Sequence, residues 1–119
     1  MPSKFVNEFG EIVVNEDVVA QVSGITAMEC YGIVGMAARS VKDGIAMLLK
    51  TENLTKGISV TLNDNKANIE FHVIVEYGTN ISAIADTLIS TVKYKVKDIL
   101  GIEVQSIKIF VEGVRVDKE

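Results

Sequence analysis

The chain has 119 residues, 48% hydrophobic and 24% charged with one proline, which is the composition of a single folded domain rather than a disordered segment. A net charge of −4 and a pI near 5 disfavour nucleic acid and anionic lipid as partners, because the long-range field repels both. Mean hydropathy is high at +0.29, yet the longest stretch free of Asp, Glu, Lys and Arg, Val18 to Met28, falls well short of the roughly 20 residues that cross a bilayer.

Met1 to Phe5 lacks the apolar core of a signal peptide, and the single cysteine leaves no internal disulfide, so a cytoplasmic location is expected. Ile12-Val13-Val14 predicts a strand. Asn15-Glu16-Asp17 then offers an N-cap and an acidic first turn to a helix. In that helix Val18, Val22 and Ile25 recur at i, i+4 and i+7, widened by Val19, and predict the core-facing stripe. Ala20, Gly24 and Ala27 repeat the spacing on the opposite side, where small residues admit a second backbone, so the helix is expected to be covered on two sides. Uncharged Tyr31 to Ala38 predicts a buried strand.

Ser40-Val41-Lys42-Asp43 has the arrangement of a capping box, and Val41, Ile45, Leu48 and Leu49 give the short helix that follows it. Asn53 to Gly57 predicts its closing loop. Ile58, Val60 and Leu62, then Ile69, Phe71, Val73, Val75 and Tyr77, alternate with polar residues as half-buried strands do. Asn63-Asp64-Asn65-Lys66 between them tolerates positive φ and predicts a tight hairpin. Asn80 caps a long amphipathic helix that ends at Leu100 before Gly101, with Asp86, Lys93 and Lys97 opposite its apolar face. Ile107, Ile109 and Val111 form the last strand, and the change of parity to Val114 and Val116 predicts a β-bulge at Gly113. The expected order is β-α-β-α-β-β-α-β, an α+β fold in one domain over residues 1–119. Its single mixed or antiparallel sheet carries the helices on one face.

Chemistry is sparse. Cys30 and His72 are the lone thiol and imidazole, too few for a structural zinc, and no third group is evident to orient the imidazole as a base. Cys30 reads as a small buried residue and His72, by parity, as a solvent-facing one. Glu70 and Glu76 lie about 20 Å apart at strand rise and cannot act as a pair. Neither a phosphate loop nor a dinucleotide fingerprint occurs. Gly32-Ile33-Val34-Gly35 has the spacing of the KH-domain backbone clamp, which makes an RNA- or nucleotide-binding module the alternative reading, against glycines placed for tight packing. Lys93, Lys95 and Lys97 form a basic cluster beside Tyr94, either a solvated helix face or a docking face. Expected contact residues are Tyr31, Gly32, Gly35, Arg39, Lys42, Lys93, Tyr94 and Lys97. No enzyme activity, cofactor or metal is expected.

Gly10-Glu11-Ile12, Tyr31-Gly32-Ile33-Val34-Gly35-Met36, Arg39-Ser40-Val41-Lys42-Asp43-Gly44, Glu52-Asn53-Leu54-Thr55-Lys56-Gly57 and Val111-Glu112-Gly113-Val114 together resemble the alkaline-shock protein family. These are small envelope-stress-response proteins of Gram-positive bacteria, and the resemblance covers nearly the whole chain. It implies a non-enzymatic cytoplasmic protein without a cofactor, linked to the cell envelope. Such a protein would reach the inner side of the membrane through a partner membrane protein, or associate with itself.

Overall fold

A computed structural model describes residues 3–37 and 55–116. The elements in chain order are β1 (Ser3–Asn7), β2 (Gly10–Val14), α1 (Glu16–Met28), β3 (Ile33–Met36), β4 (Ile58–Asn63), β5 (Lys66–Glu76), α2 (Ile81–Leu100) and β6 (Glu103–Arg115). Strand β5 is the axis of the sheet. Along one edge it pairs antiparallel with β4, from Ile58 opposite Phe71 to Asn63 opposite Lys66, and then with β3, from Met36 opposite Val73 to Ile33 opposite Val75. Along the other edge it pairs parallel with β6. A parallel neighbour requires a crossover, and the 20-residue α2 supplies it. The result is the α+β architecture with a mixed sheet that the sequence indicates.

Both helices lie over one face. Ala67, Ile69, Phe71, Val73 and Val75 of β5 join Ile84, Leu88, Val92 and Val96 of α2 and Val19, Ala20 and Ala27 of α1 in one buried cluster. Each large aliphatic side chain withdrawn from water there contributes about 1.5–3 kcal/mol. The predicted caps of α2 form: Asn80 Oδ1 accepts from the Ala83 amide at 3.1 Å, and Gly101 closes the helix at φ 71° with its N–H on the Lys97 carbonyl. Asp64 and Asn65 take φ 52° and 61°, both left-handed, as a two-residue turn of the primed type demands. The bulge also appears: Val73 faces Val111 while Ile74 faces Gly113, which leaves Glu112 as the extra residue.

Three expectations are corrected. The chain begins with a hairpin rather than one strand, because Ser3–Asn7 pairs with Gly10–Val14. Five residues of alternating polarity carry too short a pattern to announce a strand. In α1 the small-residue face, not the valine stripe, is the buried one. Ala20, Ser23, Gly24 and Ala27 are buried, whereas Val18 is 36% exposed and Ile25 58%. Close approach to α2, β4 and β3 selects the side with the least bulk, so the larger residues turn outward. Asn15 occupies the N-cap position without a side-chain bond, and instead Glu16 Oε2 accepts from the Leu62 amide at 3.3 Å, tying the start of α1 to β4. The capping box at Ser40 and the helix predicted after it lie outside the described residues. So does Asn53-Leu54 of the predicted loop, whose described end, residues 55–57, is a short turn.

The β1–β2 hairpin forms its own two-stranded sheet and is held at its base. Phe5 packs on the core, Val14 is buried, and Asn65 clasps Lys4 by accepting from its N–H at 3.0 Å and donating to its carbonyl at 3.1 Å. One residue therefore serves the β4–β5 turn and the hairpin together. Replacing Asn65 with Gly keeps the turn and removes the clasp, whereas Ala removes the clasp and also disfavours the left-handed backbone. Urea unfolding is expected to show Asn65→Ala less stable than Asn65→Gly by about 1 kcal/mol, with both below the parent chain.

Candidate functional site

The sheet face away from the helices carries the molecule's one imidazole. Along β5 the alternation that turns Phe71 and Val73 into the core turns His72 outward, as parity predicts. Its surroundings correct the expectation of a solvent-facing residue, since His72 is only 9% exposed. Its ring lies parallel to that of Phe110 on β6, with centroids 4.7 Å apart and 12° between planes. Its Nδ1 lies 2.6 Å from Glu112 Oε2 and donates to that carboxylate. The bulge produces this contact, because the extra residue in β6 is the one whose side chain meets the ring. Lys108 Nζ stands 5.7 Å from the Phe110 centroid, and Glu70 is directly opposite Lys108 in the ladder.

Glu112 is thus the orienting group that the sequence did not reveal. Forty positions separate it from His72, and only the parallel register across the α2 crossover brings them together. The parity slip near Gly113 was the available signal. Orientation alone does not make a catalytic site, because the nucleophile lies elsewhere. Cys30 belongs to the core cluster beneath the helices, on the opposite side of β5. It is 8% exposed, and its Sγ donates to the Thr26 carbonyl at 3.5 Å. Burial, reinforced by the nearby Glu29 charge, pushes the thiol pKa up, against a smaller opposing bond with Thr91. Each of the two main effects suppresses the thiolate. Among the described residues no three of His, Cys, Asp and Glu gather where they could hold a metal ion, and no helix is long and apolar enough to cross a membrane.

The residues expected at contacts fall in two separate places. Tyr31 is 81% exposed beside a cavity of about 200 Å³ at the start of α2, lined also by Thr79, Asn80, Ala83, Ile84 and Thr87. Gly32 adopts φ 90°, and a Cβ there would overlap the Ile84 side chain, so glycine is required for both backbone and space. Gly35 is buried within β3, where the register to β5 shifts. Lys93, Tyr94 and Lys97 are exposed on the later turns of α2, with Lys95 half-buried. At 1.5 Å of rise per residue they stand roughly 20 Å along the helix from the Tyr31 cavity, so the two groups do not form one site. Arg39 and Lys42 lie outside the described residues. The sequence reading passed over the β1–β2 hairpin, where Val6, Phe9, Ile12 and Val13 are 70%, 91%, 62% and 47% exposed.

Two measurements check this geometry. Cys30 in the folded protein is expected to react with a disulfide reagent at neutral pH about 10-fold or more slowly than in the urea-unfolded chain. A double-mutant cycle with His72→Asn and Glu112→Gln is expected to give a coupling of about 1–2 kcal/mol in urea unfolding, and additive effects would mean that the pair contributes nothing.

Comparison with known proteins identifies the chain. An uncharacterized protein of Bacillus subtilis, YloU, is 41% identical over 110 residues, 92% of each chain. An uncharacterized protein of Streptococcus pyogenes serotype M6, Spy1614, is 32% identical over 117 residues, covering 98% of this chain and 97% of its own. No solved structure matches. The sequence profile of the alkaline-shock protein family, described as having a cell envelope-related function, matches residues 4–116. Apart from Ser3 at the start of β1, the match takes in every strand and helix described above, and the chain belongs to the alkaline-shock protein family.

Proposed function

We propose that the protein serves the cell envelope without catalysis, as a cytoplasmic interaction or scaffold protein that binds a protein partner. A membrane protein as that partner would hold it at the inner face of the membrane. The observation that carries this reading is the β1–β2 hairpin. A two-stranded hairpin is marginal in water unless an apolar face is covered, yet this one holds Val6, Phe9, Ile12 and Val13 in solvent. Large apolar groups gathered on a projecting element mark contact surfaces. The separation of Cys30 from the His72–Glu112 pair by the thickness of the sheet supports the same reading.

An RNA- or nucleotide-binding role through Gly32 to Gly35 finds no support in the fold. A backbone clamp needs an open loop, whereas Ile33–Met36 is strand β3 paired to β5 and Gly32 packs on Ile84.

The test is a cross-linked pull-down from cells with the parent chain and with a Phe9→Ser, Ile12→Thr variant, both shown to fold by circular dichroism. Recovery of an envelope-associated protein by the parent, reduced about 10-fold or more in the variant, is the expected outcome. Equal recovery by both would remove the hairpin from the reading. A chain that retains nothing would overturn it.

A further inference from the structure

The sheet ends abruptly on its β6 side. At 13 residues β6 is the longest strand, it pairs with β5 alone, and among the described residues no strand covers its other edge. Open edges are ordinarily guarded by shortness, charge, proline or bulges. Here the bulges fall at Gln105 and Glu112 and leave Ser106 to Val111 as a regular run between them. That run, Ser-Ile-Lys-Ile-Phe-Val, holds one charge and no proline, and Phe110 and Val111 are each 38% exposed.

We propose that this edge pairs with the same edge of a second copy, antiparallel and centred on Phe110, to join two sheets into one. This inference names a partner under the non-catalytic contact reading above, on which it rests. In a two-fold arrangement residue i faces residue 220 − i of the other copy on the same side of the sheet. Phe110 then meets its own counterpart and Ile109 meets Val111. Lys108 stands directly opposite Glu112 in both halves of the dimer.

Charge selects that register. Centred on Lys108, the same pairing would set two lysines face to face, which is repulsive. Centred on Phe110, it sets each lysine against a carboxylate. Glu112 is ready for this role, since only Oε2 is engaged by His72 and its side chain keeps 26% exposure. Lys108 is exposed and needs no rearrangement to reach across. Beyond the pair, Ile107 faces Gly113, whose lack of a side chain lets the strands separate past the bulge.

Sedimentation velocity with a charge swap tests the proposal. The parent chain is expected to dimerise in the micromolar range. Lys108→Glu and Glu112→Lys are each expected to weaken that association about 10-fold or more, because each sets like charges opposite. Mixing the two variants recreates two opposite-charge pairs, so a heterodimer is expected to return. Circular dichroism and urea unfolding of each variant separate loss of pairing from loss of fold, and Ile109→Thr offers a variant that leaves His72 and Glu112 intact. A parent chain that stays monomeric at 100 µM, or a dimer indifferent to both charge changes, overturns the proposal. Either result leaves the contact reading standing wherever the hairpin-dependent pull-down succeeds.

Discussion

The sandwiching of β5 is the constraint on which the rest of the fold depends. Antiparallel partners occupy one edge, a parallel partner occupies the other, and both helices press on one face. Ile69, Phe71, Val73 and Val75 are each at most 1% exposed as a result. A strand satisfied on both edges has no freedom of register, because a slip by one residue would turn those side chains to the wrong face and bring Glu70 and His72 into the core. The parallel ladder to β6 adds a second condition, since it exists only if α2 has the length to return the chain to the start of the sheet. Twenty helical residues span about 30 Å, which matches the eleven residues of β5 once turns are added.

That register also decides what the chemistry-bearing residues can do. Alternation along one strand sends Phe71 and Val73 toward Cys30 and sends His72 away from it. Thiol and imidazole are therefore kept apart by the same geometry that builds the core. The parallel ladder and its bulge give His72 a carboxylate and an aromatic neighbour on the far side, an arrangement that fixes the ring and links β5 to β6. The buried pair acts as a local fastener on a face that the helices leave alone.

Much of this was legible in the sequence because the relevant signals are local. Asn63 to Lys66 encodes a primed turn by side-chain chemistry, Asn80 and Gly101 encode both ends of α2, and the parity break near Gly113 encodes the bulge. The unread features depend on partners distant in the chain. Which face of α1 is buried was decided by how near α2 and β4 must come, a demand that favoured Ala20, Gly24 and Ala27 over Val18 and Ile25. The pairing of His72 with Glu112, and the clasp of Asn65 on Lys4 across 61 positions, required a topology that periodicity does not specify. The initial strand escaped because its alternation is short and its stability comes from the base of the hairpin rather than from its own residues.

The central claim is that the molecule works through its surface, with the projecting hairpin as the contact element and no reaction centre behind it. Hydrogen exchange of the β1 and β2 amides, measured on the protein alone, with a protein-free metabolite extract, and with a detergent-solubilised envelope protein fraction, tests this most directly. Slowed exchange across Ser3 to Val14 with the protein fraction alone is the predicted result. Protection that appears instead with the metabolite extract, clustered around His72 or the Tyr31 cavity and leaving the hairpin unchanged, would contradict it.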